Sequence, residues 1–160
     1  MQKEETLNNE ILKITAVDAH THLDSDHLSA RGLHDIMLYH MVVSDLYSSG
    51  CPNGARLSDS PDEKEITERI EEAIPYLRHI QNTSCYWLML SILRDLYEWT
   101  DPITIDNWRI LDERIRRKSS DSKWGRKILE RANVEKAVTE WGLRGKGNND
   151  DILLYEIGFL

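Results

Sequence analysis

Apolar side chains open the segment 14–23 and polar ones close it: Ile14, Ala16 and Val17 lead into Asp18, His20 and His22. β-branched residues and the lack of proline predict a β-strand there. A strand that starts apolar and ends in His and Asp suits a buried parallel strand delivering side chains to a site at its C-terminal edge. The rhythm then becomes helical. Leu33, Ile36, Met37, His40, Val43 and Leu46 recur at three- and four-residue intervals, which predicts one helix over 33–47. Residues 4–12, ahead of the strand, read as a short lead-in helix.

Gly, Pro, Ser and Asn crowd residues 48–61 and predict a loop. Ser60 followed by Pro61, Asp62 and Glu63 marks a helix start, and that helix runs to about residue 79 with Pro75 kinking or ending it. A strongly apolar helix is expected over 83–99. Two more follow over 104–117, capped by Thr104 or Asp106, and over 121–132. Val134, Ala137, Val138 and Trp141 then alternate imperfectly, predicting a second strand over 134–141. A glycine-containing loop leads to the closing apolar run of residues 152–160, which stops as if inside an element. The order is strand, long helical stretch, strand. It implies an α/β fold in which helices predominate, with a helical insertion over 61–132 between two strands.

The chain of 160 residues fits one domain with a genuine core. A net charge of −8 argues against non-specific nucleic-acid binding, which needs a basic face, but leaves room for small anions in a local cationic pocket. Cys51 and Cys85 are the only cysteines and form no CxxC pair, so they read as reduced thiols. The charged N-terminus does not resemble a signal peptide. No apolar run approaches the roughly 20 residues of a membrane span. A cytoplasmic protein without membrane or nucleic-acid partners is expected; self-association into a homo-oligomer is left open.

The chemistry concentrates in Asp18-Ala19-His20-Thr21-His22. Residues two apart on a strand share a face. His20 and His22 therefore project to one side, as two ligands of a divalent ion such as zinc would. Asp18, Asp24 and Asp26 could orient the rings through their outer nitrogens. Further ligands must come from elsewhere.

The strand VDAHTHL, residues 17–23, resembles the first barrel strand of the amidohydrolase superfamily. Within it, the chain resembles uronate isomerases. LHDIMLYHMVVSDLY (33–47) is similar to that family's helix after the first strand. KILERANVEKAVTEW (127–141) is similar to its helix-then-strand unit at the second barrel strand. The resemblance implies the N-terminal part, residues 1–160, of a (β/α)8 TIM-type barrel with a large helical insertion. It implies a zinc-type divalent metal held by His20 and His22. It also implies aldose–ketose isomerisation of a hexuronic acid, of the glucuronate-to-fructuronate type, in sugar-acid catabolism. A late-strand aspartate that serves the family as ligand and proton carrier has no counterpart here, so no catalytic residue falls within this chain. The family commonly has a substrate-contacting tyrosine where this chain has Met41, which cannot donate a phenolic hydrogen bond. His40, beside Tyr39, is then the candidate substrate-binding residue. The other readings are a metal-dependent hydrolase of the same superfamily and an inactive fragment.

The remaining features have structural readings. Trp87, Trp99, Trp108, Trp124 and Trp141 suit helix and core packing. The cationic run 114–118 suits a solvated helix end favoured by the macrodipole. His34 and His79 read as helix histidines satisfied by neighbours. The glycines near residue 145 lack P-loop spacing.

Overall fold

The structure is a computed structural model that describes residues 7, 9–11, 13–23, 28–54, 57, 61–139 and 153–156. The chain divides into two compact units, residues 30–120 and residues 1–29 with 121–160. The helices within 33–48 thus group with those of 63–119, whereas the last helix groups with the strands.

In the strand-bearing unit, β1 (Ala16–Thr21), β2 (Val134–Thr139) and β3 (Leu153–Glu156) form a parallel sheet in the order β1-β2-β3. The sequence pattern predicts two strands; the closing apolar run supplies the third, with Lys136 through Thr139 paired to Leu153 through Glu156. The central strand buries Ala137 completely. Residues 7 and 9–11 are helical; the rest of the expected lead-in helix lies outside the described residues. α6 (Trp124–Arg131) precedes β2, and Asn133, at φ 52°, turns the chain into it. Gly125 on α6 lies against Leu28, where a Cβ would come within 2.5 Å of the leucine Cβ and 3.0 Å of its carbonyl. Residues 140–141, expected to end β2, lie outside the described residues.

The second unit is helical: α1 (Leu33–Met37), α2 (His40–Ser48), α3 (Glu63–Ala73), a 3-10 turn (Ile74–His79), α4 (Ser84–Tyr97) and α5 (Trp108–Ser119). Its core holds Leu33, Met37, Leu46, Ile70, Ile80, Met89, Leu93, Tyr97, Leu111 and Ile115, each less than 2% or about 2% exposed. The single helix expected over 33–47 is two, because the backbone extends at Tyr39 (φ −58°, ψ 139°). Leu33, His34, Ile36, Met37 and Leu38 are all buried and cover about 200° of a helix. In a straight continuation Val42, Val43 and Leu46 would fall on the opposite side, and the turn at Tyr39 accompanies the burial of both faces. α2 ends in a Schellman motif. Gly50, at φ +102°, donates to the Tyr47 carbonyl and Cys51 to that of Leu46.

The caps explain the other boundaries. α3 begins at Glu63, two residues past the first helical position expected at Pro61, because Asp62 and not Ser60 is the cap, accepting a 2.7 Å bond from the Glu65 amide; Ser60 itself lies outside the described residues. At Pro75, which lacks an amide hydrogen, α3 gives way to the 3-10 turn. Thr83 caps α4 by accepting from the Tyr86 amide. Neither Thr104 nor Asp106 caps α5. Asn107 instead accepts from the Thr104 amide and donates to the Pro102 carbonyl, so the helix begins at Trp108. Asp62→Ala should cost about 1 kcal/mol, seen as a small drop in the urea midpoint with no change in far-ultraviolet helicity after refolding.

The cationic run of α5 is not a solvated end. Arg114 donates to the Tyr97 and Glu98 carbonyls and Lys118 to that of Leu96, so two cations close the C-terminus of α4. Arg114 also lies over the Trp99 ring, 5.2 Å from its centroid. Arg116 bridges Asp112 and Glu63. Trp99 and Trp108 are buried, as helix packing predicts; Trp87 is 61% exposed and is no core residue. No helix among the described residues is long and apolar enough to cross a membrane.

Candidate metal centre

β1 carries the candidate ligands to its C-terminal end. Along Ala16 to Ala19 half-buried and exposed positions alternate, as they should on a sheet. The pairing with β2 is irregular between Asp18 and Thr21, and the alternation shifts at His20. The strand ends at Thr21, with His22 following it. Both imidazoles are exposed, their ring centroids 5.3 Å apart and their planes at 65°.

That spacing bears on the chemistry. Two imidazoles bound to one tetrahedral ion at about 2.1 Å have ring centres roughly 5 Å apart. The centroid spacing of the pair is close to that value. Among the described residues, no group of three or more His, Cys, Asp or Glu side chains gathers to complete a zinc-type site. Asp18, expected behind the rings, accepts a 3.2 Å bond from the His20 amide, which fixes backbone rather than an imidazole nitrogen. Asp24 and Asp26 lie outside the described residues.

His40 belongs to the helical unit. It opens α2, half-buried, with its ring centroid 4.2 Å from that of Tyr39. Met41 follows it, 50% exposed. Tyr39 and His40 thus sit together at the first turn of α2, where the helix dipole favours negative charge. His79 is exposed and accepts from Arg78 Nε at 3.1 Å.

One polar cluster escapes the sequence pattern. His34, on α1, is 3% exposed. Its Nε2 lies 3.4 Å from Asp35 Oδ1, and its Nδ1 has no hydrogen-bond partner. Burial holds its pKa below the ordinary histidine value; Asp35 and Asp112 oppose that shift, while Arg31 and Arg116 reinforce it. Asp35 accepts from the Arg31 amide and guanidinium, and Asp112 accepts from the Leu33 amide at 2.7 Å and from Arg116 Nε at 2.6 Å. The two acid–arginine pairs are visible in sequence at i,i+4 spacing; their meeting around one histidine is not.

No protein-family model matches this chain, and no curated protein matches it.

Proposed function

We propose that this chain is the N-terminal portion of a metal-dependent (β/α)8-type isomerase acting on a hexuronic acid, a cytoplasmic enzyme of sugar-acid catabolism. The observation that carries this reading is the pair His20 and His22, with rings 5.3 Å apart at the C-terminal end of the first strand of an all-parallel sheet. Parallel strands in sequential order, the first two joined here through helices, suit the start of such a barrel, and barrel sites form at the strands' C-terminal ends. Three strands do not close a barrel, so the reading requires further strands, and with them the remaining ligands and the proton carrier.

His20 and His22 would hold the ion through one nitrogen each. A divalent ion there would polarise the carbonyl and neighbouring hydroxyl of the sugar acid.

The test uses the protein as its natural gene encodes it, loaded with zinc and offered glucuronate and galacturonate. Formation of the keto acid, read by coupled reduction with a nicotinamide-dependent reductase, is the expected result. Release of an acid from an amide, ester or lactone, with neither uronate converted, would replace the isomerase with a hydrolase. Turnover of neither class would overturn the enzymatic reading.

A further inference from the structure

We propose that the contact of Gly32, His34 and Asp112 is an acid-sensitive latch: proton uptake by the buried His34 imidazole releases α1 from α5. The inference concerns the helical unit alone and does not depend on the isomerase reading.

A proton on His34 Nδ1 meets no hydrogen-bond partner in the closed geometry. A Cβ on Gly32 would stand 2.6 Å from Asp112 Oδ1 and 2.9 Å from His34 Nδ1. Gly32 has extended backbone, φ −179°, open to any residue, so the glycine serves space rather than dihedral freedom. Its missing side chain lets the carboxylate and the ring nitrogen approach across it. That nitrogen has no partner, and a neutral imidazole can present it as a bare acceptor. A protonated ring would need a second acceptor there. The nearby carboxylate oxygens accept from other donors, and none of them bonds Nδ1 in the closed form. Asp112 Oδ1 takes the Leu33 amide and Oδ2 takes Arg116; Asp35 Oδ1 and Oδ2 take Arg31.

Charge counting points the same way. Arg31 and Asp35 flank His34 from its own segment; Asp112 and Arg116 face it from α5; from α3, Glu63 reaches only Arg116 and is 75% exposed. The four inner charges cancel. A proton on His34 adds a net charge on the one ring of the group that is only 3% exposed and whose Nδ1 has no partner, and desolvating that charge is costly. Opening the α1–α5 junction exposes the imidazole to water, where it accepts the proton freely. Because burial depresses proton affinity in the closed form, the open form binds more protons below the ordinary histidine range. Closure is therefore complete above about pH 6.5 and weakens as pH falls below it, until the closed form itself protonates.

Hydrogen exchange on the natural protein between pH 5 and 7.5 tests this, with rates corrected for the intrinsic pH dependence of amide exchange. The reporters are the Leu33 amide, bonded to Asp112, and the Leu38 amide, bonded to the His34 carbonyl. Their opening constants should rise up to about tenfold per pH unit below pH 6.5, while core amides of α4 change little. His34→Gln should flatten that dependence. An identical pH dependence in His34→Gln, or none in the natural protein, sinks the latch. Should the variant fail to fold, the imidazole titration of the natural protein decides. Protonation accompanied by loss of Leu33 and Leu38 protection supports the latch. Protonation with both amides still protected overturns it.

Discussion

Asp112→Ala should destabilise the helical unit by about 3 kcal/mol. Asp112 is 8% exposed and does two jobs. Its Oδ1 caps α1 from across the fold, because Gly32 at the cap position has no side chain to meet the Leu33 amide. Its Oδ2 holds Arg116 Nε. Hydrogen bonds to a charged group contribute about 1.5–3 kcal/mol each, so two lost bonds set an upper range near twice that. Two facts lower the figure. Arg116 is 36% exposed, so water reaches its guanidinium, and it keeps Glu63 at 2.9 Å. The orphaned Leu33 amide is the larger loss, since an unmet buried donor costs about 1–3 kcal/mol. With a urea m-value of about 2 kcal/mol/M, the midpoint should fall by about 1.5 M. Asp112→Asn can keep an acceptor toward Leu33 and should lose less than half as much. Equal midpoints for the natural protein and Asp112→Ala would show that α1 needs no support from α5.

What sequence made legible follows from the range of the forces involved. β1 and its two histidines could be read because strand alternation and an apolar-to-polar gradient are local patterns, complete within ten residues. Thr83 and the glutamates after Asp62 likewise announce helix starts through bonds spanning three residues. The break at Tyr39 could not be read. No glycine or proline marks it, and it goes with packing against α3 and α5 that buries Leu33 to Leu38, Asp35 excepted, over more than half of the helix. The cationic run of α5 misled for the same reason: its carbonyl partners at Leu96, Tyr97 and Glu98 lie 16 to 22 residues earlier. β3 was visible only as apolar sequence, and pairing with β2 makes it a strand. His34 looked like an ordinary helix histidine. Its setting depends on Asp112 meeting a residue 79 positions away, through space that a glycine leaves open. Within the candidate metal centre, local pattern found both rings, while no third ligand joins them among the described residues.

Replacing His20 by alanine should lower zinc affinity by at least about tenfold, and replacing His22 should do the same. The argument is chelation. Each imidazole alone is a weak monodentate ligand, and the strand's contribution is to hold two of them 5.3 Å apart, near the spacing one tetrahedral ion requires. Removing either ring abolishes the chelate rather than halving it. The double variant should therefore lose little more than either single one, a non-additivity that two independent weak sites would not show. His79→Ala is the control, because that ring is exposed on the helical unit and engages Arg78. Competition against a chromophoric chelator measures all four affinities, and cobalt spectra report whether the ion sees imidazole nitrogen. Folding should be untouched, since both rings are exposed and neither fills the core. Strictly additive losses would divide the two histidines into separate adventitious ligands. Unchanged affinity in both single variants would remove the metal from β1, and with it the chemical basis for isomerisation at this edge of the sheet.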